Sequence, residues 1–148
     1  MRRKTIMTLA ALLIAGTAQA AEALKVGVHR DANCGCCKSW IKHLEAQGFV
    51  VNDREEQDMA AVKSRLGVPE GLRSCHTAVI NGRFVEGHVP ADQLKSLNER
   101  PDLAGIVVPG MPLGSPGMEH GTARQAYKVI GVTKTGGQAI VAEYDTRP

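Results

Sequence analysis

Four cysteines are the residues of this chain with the most distinctive chemistry. Three of them, Cys34, Cys36 and Cys37, fall within four positions in the stretch NCGCCKSW, and Cys75 lies far along the chain. Cys34 and Cys37 have the C-x-x-C spacing of dithiol redox sites, and thiolates are also preferred ligands of soft metal ions. The cysteines could therefore form structural disulfides, exchange disulfides with a substrate, or bind a metal.

The first twenty residues predict a secretory signal peptide. They combine a basic start, a ten-residue apolar run from Ile6 to Ala15 and the small-residue pattern Ala18-Gln19-Ala20. The apolar run is too short to span a bilayer, which takes roughly 20 apolar residues. We therefore expect removal of 1–20, and a soluble periplasmic protein formed by 21–148.

Charge argues against a nucleic-acid partner. Arg2, Arg3 and Lys4 account for the whole formal charge of +3, so the mature chain would carry 15 basic and 15 acidic side chains. A balanced chain lacks the electrostatic attraction on which nucleic-acid binding depends. We also expect no membrane association after cleavage, and a single domain over residues 21–148.

Hydrophobic patterning predicts an α/β fold with the order strand, helix, strand, helix, hairpin, helix. The corresponding stretches are LKVGVHRD, a helix that begins at the cysteine trio, FVVND, DMAAVKSRLGVP, the hairpin from Thr77 through Asn81-Gly82 to RFVEG, and PADQLKSLNERP. This order is the thioredoxin-like arrangement, a central mixed sheet flanked by helices. It places the trio at a helix N-terminus, which stabilises thiolates, and brings Cys75 beside it.

Two further segments follow this unit. Residues 105–121, GIVVPGMPLGSPGMEHG, are dense in Gly and Pro and are predicted to form a loop without regular structure. Residues 126–144 predict a C-terminal β-hairpin, with AYKVIGV and QAIVAEY as its strands.

Two disulfide-based interpretations compete with metal binding. Two structural disulfides suit an even cysteine count in an exported protein, but a bridge between adjacent Cys36 and Cys37 is strained, and other pairings crowd two bridges into one loop. A thiol–disulfide oxidoreductase using Cys34 and Cys37 remains the alternative function. Thioredoxins usually carry a cis-proline beside the C-x-x-C motif, and here Cys75 stands about where that proline would be.

Metal binding is the interpretation that the spacing favours. Adjacent Cα atoms are about 3.8 Å apart and their side chains diverge, so Cys36 and Cys37 suit two neighbouring ions better than one tetrahedral Zn(II). Soft thiolates favour Cu(I), and the thioethers of Met111 and Met118 point to the same metal. We therefore predict a multinuclear, thiolate-bridged Cu(I) site, with Zn(II) less favoured.

Two histidines are secondary candidates for the metal site. His76 follows Cys75 directly, and strand alternation would turn its side chain the other way, which favours a supporting role over ligation. His88, in EGHVP, is predicted to have a conformational or hydrogen-bonding role, with ligation as the second interpretation.

The stretches CGCCKSW, SCHTAV, EGHVPA and VPGMPLGSPGME together resemble the CopG-like family of periplasmic copper-resistance proteins, long described as a domain of unknown function. The resemblance runs from about Val26 through Glu119. It implies a thioredoxin-like fold in which Cys34, Cys36, Cys37 and Cys75 hold a multinuclear Cu(I) site. Arg83 stands where the family usually has an aromatic residue.

Residues and resemblance together predict a periplasmic Cu(I)-binding protein that sequesters, transfers or redox-buffers copper in metal resistance. Its expected partners are copper ions and another periplasmic copper-handling protein. No residue set specifies an organic substrate, so an enzymatic activity is not assigned.

Overall fold

A computed structural model describes residues 23–146, and within that range seven strands form one mixed sheet. The strands are β1 (Lys25–Arg30), β2 (Val50–Glu55), β3 (Thr77–Ile80), β4 (Arg83–Glu86), β5 (Leu103–Val107), β6 (Tyr127–Thr133) and β7 (Gln138–Tyr144). The helices are α1 (Gly35–Ala46), α2 (Met59–Arg65) and α3 (Ala91–Ser96), with short 3-10 turns at Glu70–Leu72 and Leu97–Glu99. The predicted signal peptide lies outside the described residues.

The α/β class predicted from the sequence is confirmed. The sheet order is β2-β1-β3-β4-β5-β6-β7. β1 is parallel to β2 and antiparallel to β3. The C-terminal hairpin is also present, as β6 and β7.

Pairing of β1 with β3 determines which loops meet. His29 near the end of β1 is paired with Thr77 at the start of β3. Because the strands are antiparallel, the residues that follow β1 and those that precede β3 lie at the same end of these two strands. The cysteine trio and Cys75 are carried by these two segments.

The loop predicted over residues 105–121 begins later than expected. Residues 105–107 belong to β5, which is parallel to β4 and antiparallel to β6. The Ile106-Val107-Val108 run is fully or almost fully buried, so it has the continuous apolar character of a central strand. Pro109, which cannot donate to the ladder, follows this buried run.

Helix α1 is packed on the sheet by one apolar stripe. Cys37, Trp40, Ile41 and Leu44 are buried and recur at the i, i+3, i+4, i+7 spacing of a single helix face. Trp40 is fully buried, and its indole Nε1 donates a hydrogen bond to the carbonyl oxygen of Val89 at 2.8 Å. This packing fixes the orientation of the first turn, which carries the cysteines.

The tight hairpin between β3 and β4 forms as its sequence predicts. Asn81 and Gly82 have φ values of 49° and 74°, the positive angles of a two-residue hairpin turn. Arg83, the first residue of β4, donates hydrogen bonds to the carbonyl oxygens of Leu97 and Arg100. Its guanidinium therefore links the hairpin to the 3-10 turn at Leu97–Glu99 and to the residue that follows it.

No helix within residues 23–146 is long enough and apolar enough to cross a bilayer.

Candidate metal centre

The cysteine trio occupies the N-terminus of α1. Cys34 is the N-cap residue, and its Sγ accepts a hydrogen bond from the backbone N–H of Cys37 at 3.3 Å. Cys36 and Cys37 lie in the first turn, where unpaired backbone N–H groups and the helix dipole favour negative charge. The predicted position of the trio at a helix N-terminus is therefore observed.

Cys75 meets this trio, as the topology predicted. Its Sγ lies 3.9 Å from the Sγ of Cys36, which lies 3.5 Å from the Sγ of Cys34. All four sulfurs lie within 4.8 Å of one another. Sulfurs bound at about 2.3 Å to one tetrahedral ion are roughly 3.7 Å apart, and the separations of the Cys36 sulfur from those of Cys34 and Cys75 are close to this value.

The structure contains one disulfide in this cluster. Cys34 and Cys37 are linked, with their Cα atoms 5.3 Å apart, and Cys36 and Cys75 are free thiols. The second bridge of the two-disulfide interpretation is therefore absent from the described cluster. The pairing is the one that a C-x-x-C dithiol would make.

His88 and His76 flank Cys75. Nε2 of His88 lies 3.1 Å from the Cys75 Sγ, and Nδ1 of His76 lies 3.2 Å from it. Both histidines are fully buried, and the three donor atoms lie within 4.8 Å of one another. The expectation that His76 turns away from Cys75 is wrong, because His76 precedes β3 and strand alternation does not apply to it.

The tautomer of His88 follows from its second contact. Its Nδ1 lies 2.8 Å from the carbonyl oxygen of Pro116, which can only accept, so Nδ1 carries the hydrogen. Burial is the main cause that lowers the pKa of His88, so the ring is neutral. Nε2 therefore presents a lone pair to Cys75, the form in which imidazole binds metals.

His76 differs from His88 in its surroundings. Its ring packs against Trp40 at a centroid distance of 4.4 Å, and no hydrogen-bond partner for Nε2 occurs within residues 23–146. Burial is the main cause that lowers the pKa of His76 well below its usual value. When Cys75 is a thiolate, only the Nδ1–H tautomer of His76 can donate to it, which gives His76 the supporting role.

A buried ion pair holds the Cys75 segment. Glu86 is fully buried, and its Oε1 accepts hydrogen bonds from Lys63 Nζ and the backbone N–H of Ser74, both at 2.6 Å. Its Oε2 accepts from the Thr77 hydroxyl at 2.6 Å. The Glu86 carboxylate thus accepts hydrogen bonds from the residues on both sides of the Cys75–His76 pair and links them to Lys63 of α2.

The loop between β5 and β6 forms a wall of the site, which we call the Met loop and define as residues 109–118. Its main chain touches the site at Gly110, whose carbonyl oxygen accepts from Ser74 Oγ, and at Pro116, which accepts from His88. Gly117 has φ +85°, and a Cβ there would lie 2.7 Å from Trp40 N and 3.0 Å from Cys36 O. The Met loop therefore lies directly on the first turn of α1.

The two methionines occupy different environments within this loop. Met111 is 52% exposed and lies on an open groove with Tyr127 and Lys128, whereas Met118 is half-buried next to Gly117. Their role as copper contacts therefore stays a prediction.

Burial also controls the protonation of Cys75. Removal from water, followed by the nearby charge of Cys36, raises the pKa of the Cys75 thiol to about 12. In the metal-free protein Cys75 is therefore a neutral thiol at pH 7. A bound cation reverses this effect, because a coordinated thiol gives up its proton.

Two solved structures are similar to this chain over most of its length. They are described as copper resistance protein CopG, form 2 and form 1, and each is 63% identical to this chain. The alignments cover 84% and 83% of this chain and 100% and 98% of theirs, with TM-scores of 0.83 and 0.81. The chain belongs to the CopG copper-resistance family. The family resemblance predicted from the motifs is thereby confirmed.

A family model described as "Protein of unknown function, DUF411" matches residues 72–118 of this CopG-family chain. The matched range contains Cys75, both site histidines and the Met loop. No significant match was found among curated proteins.

Sequence reasoning missed the residues that support the site. Lys63 follows a buried Val62 on a short helix and reads as a solvated side chain, and Glu86 reads as an ordinary hairpin residue. The available signal was the single acidic residue of the strand RFVE, which pairs with Thr77 two positions after Cys75.

We expect replacement of Glu86 by Ala to lower the free energy of unfolding by about 3–5 kcal/mol, because Lys63 then stays buried without its counter-charge. Denaturant unfolding followed by the fluorescence of the single Trp, Trp40, measures this. Glu143→Gln is the control, since it breaks an exposed pair with Lys128 and is expected to change stability by about 0–1 kcal/mol. Equal losses in the two variants would contradict a structural role for Glu86.

We expect Gly117→Ala to separate the Met loop from α1, because its Cβ would overlap backbone atoms of Trp40 and Cys36. Gly110→Ala is the control, since Gly110 also has a positive φ, of +70°, but open space at its Cβ. Both variants bear the left-handed backbone cost, and only Gly117→Ala adds an overlap, for a further loss of about 1–3 kcal/mol. Thermal unfolding of the two variants compares them, and equal losses would contradict the close contact.

Proposed function

We propose that this chain is a periplasmic Cu(I)-binding protein that sequesters, transfers or redox-buffers copper in metal resistance. In its reduced form, Cys34, Cys36, Cys37 and Cys75 hold a thiolate-bridged site with more than one Cu(I). The observation that carries the proposal is the convergence of Cys75 on the trio, with all four sulfurs within 4.8 Å. The copper-resistance description of its relatives supports the choice of metal.

The donor chemistry favours copper over zinc. Four thiolates can bind Zn(II) in a tetrahedral Cys₄ site, but such a site uses each sulfur once and has no use for the imidazole lone pair beside Cys75. Cu(I) accepts soft sulfur ligands and imidazole. Cys75, with a sulfur neighbour at 3.9 Å and the His88 nitrogen at 3.1 Å, is placed to bridge two ions.

The protein's own groups prepare this site in three ways. The N-terminus of α1 stabilises negative charge on Cys34, Cys36 and Cys37. The ion pair of Glu86 and Lys63 holds the segment that carries Cys75 through the hydrogen bond from Ser74 to Glu86. The Met loop covers the first turn of α1 and sets the tautomer of His88 through Pro116.

A thiol–disulfide oxidoreductase is the second candidate function. The Cys34–Cys37 disulfide at a helix N-terminus favours it, because this is the arrangement of dithiol exchange sites. Catalysed reduction or isomerisation of a substrate disulfide by the metal-free protein, lost in Cys37→Ser, would support this function over copper handling.

Anaerobic titration of the reduced protein with Cu(I), followed by metal counting, tests the proposal. We expect more than one Cu(I) per chain, and a lower count in Cys75→Ser, because the sulfur that joins the trio from the second segment is then missing. His120→Ala, which removes an exposed histidine outside the cluster, is the control and should keep the full count. Uptake of one Zn(II) with no copper would overturn the proposal.

Copper affinity should rise with pH, because Cys75, with its pKa of about 12, must lose a proton to become a ligand. Each proton released on binding contributes about a tenfold increase in affinity per pH unit at pH values below the thiol pKa. Competition titrations between pH 6 and pH 8 measure this slope. We expect Cys75→Ser to reduce it by about one proton, and an unchanged slope would contradict the role of Cys75.

A further inference from the structure

Arg30, the last residue of β1, is buried although it carries a charge. It is only 3% exposed, and charged side chains are almost never buried to this degree unless they are paired. Its acidic partners on β2, Asp53 and Glu55, have side chains that are 38% and 57% exposed. These carboxylates are accessible from the surface, so ion pairing by itself does not require a buried guanidinium.

The guanidinium of Arg30 uses all of its five N–H groups as donors. Nε and Nη2 donate to the Asp53 carboxylate at 2.8 and 2.7 Å, and Nη2 also donates to Glu55 at 3.1 Å. Nη1 donates instead to two backbone carbonyl oxygens, those of Asp31 at 3.0 Å and Ala32 at 3.2 Å. The rigid fork therefore joins β2 to the residues that follow β1.

These two carbonyl groups belong to the turn that leads to Cys34. The Asp31 carbonyl oxygen also accepts a hydrogen bond from the backbone N–H of Cys34 at 3.2 Å, which closes a β-turn over residues 31–34. The Asp31 carboxylate accepts from the backbone N–H of Asn33 at 2.9 Å. One carbonyl oxygen thus accepts from both Arg30 and Cys34.

We propose that Arg30 is the positioning residue of Cys34, because its guanidinium fixes the 31–34 turn and thereby holds the Cys34 sulfur beside Cys37. The Cys34 sulfur is bonded to that of Cys37 and accepts from the Cys37 backbone N–H. Arg30 acts through this turn and binds no metal itself. For copper, this role rests on the proposed function; for the disulfide, it does not.

The contacts of Arg30 belong to the disulfide-linked form of the protein. A fixed turn lowers the entropy cost of bringing Cys34 to Cys37, so loss of the fork weakens the disulfide relative to the dithiol. In exchange with glutathione, two glutathione thiols reduce the Cys34–Cys37 bond to two protein thiols and are themselves joined as oxidised glutathione. Loss of Arg30 therefore shifts this equilibrium toward the dithiol.

Equilibration of the metal-free protein with glutathione tests this role. Wild-type protein, Arg30→Gln and Arg30→Lys are incubated with mixtures of reduced and oxidised glutathione, and the Cys34–Cys37 bridge is quantified by alkylation and peptide mass spectrometry. We expect the equilibrium constant for disulfide formation to fall about fivefold or more in Arg30→Gln, because hydrogen bonds from a charged donor are lost.

Arg30→Lys keeps the positive charge and separates charge from geometry. An ammonium has three donors on one atom, so it can pair with Asp53 but cannot also span the carbonyl groups of the turn. We expect the equilibrium constant to fall in this variant as well. Because Arg30→Lys keeps an ion pair, it keeps the test decisive if Arg30→Gln does not fold.

Arg100→Gln is the matched control. Arg100 forms a similar two-bond pair with the Asp102 carboxylate, at 3.0 and 2.9 Å, but its side chain is exposed and lies in the segment after α3. We expect this variant to keep the wild-type equilibrium constant.

Denaturant unfolding of the oxidised proteins separates positioning from a purely structural role. Lower stability of both Arg30 variants with an unchanged glutathione equilibrium would limit Arg30 to the pairing of β1 with β2 and overturn the inference. Recovery of the wild-type equilibrium in Arg30→Lys would also overturn it.

Copper binding by the reduced protein is measured on the same variants. We expect Arg30→Lys to weaken Cu(I) binding about fivefold with an unchanged metal count, because Cys34 is held less firmly. If the reduced wild-type protein binds no more than one Cu(I), the proposed multinuclear function fails, and the glutathione equilibrium still decides the role of Arg30.

Discussion

The site depends on one buried carboxylate, that of Glu86, which accepts hydrogen bonds from the chain on both sides of the Cys75–His76 pair. Glu86 forms an ion pair with the Lys63 ammonium and also accepts hydrogen bonds from the backbone N–H of Ser74 and the hydroxyl of Thr77. A buried charge is costly unless it is paired and fully hydrogen-bonded, so these partners cannot be exchanged freely. The residues on both sides of the Cys75–His76 pair are thus held by hydrogen bonds to one buried carboxylate.

The opposite side of the site uses a different force. The trio is placed by the apolar face of α1, in which Trp40 and Leu44 are fully buried. The two sets of sulfurs therefore come from two separately anchored segments, one held by hydrophobic packing and one by a buried ion pair. A metal ion placed between them links parts of the chain that are otherwise joined through the β1–β3 pairing.

Sequence reasoning predicted the order of the first elements from local periodicity, and it predicted the meeting of Cys75 with the trio from the thioredoxin-like arrangement that this order suggested. It did not predict β5, since the Gly and Pro residues that follow it dominated the pattern. It also assigned His76 the wrong orientation and missed the ion pair of Lys63 and Glu86. The pairing of β5 and the ion pair depend on contacts between residues more than 20 positions apart, which periodicity does not record. The ligand roles of the cysteines stay predictions.

The segment that contains the Met loop leaves the sheet at the end of β5 and returns at the start of β6, and these strands are direct neighbours, with Val107 paired to Ile130. Neighbouring strands are about 4.8 Å apart, and Tyr127 lies three residues, or roughly 10 Å, along β6 from Ile130, so both ends of the segment are attached to one part of the sheet. The sequence of such a segment can change without altering the strands that hold it. Relatives could vary its length or its thioether content, and thus the rim of the sulfur pocket, while the strands beneath it keep their register.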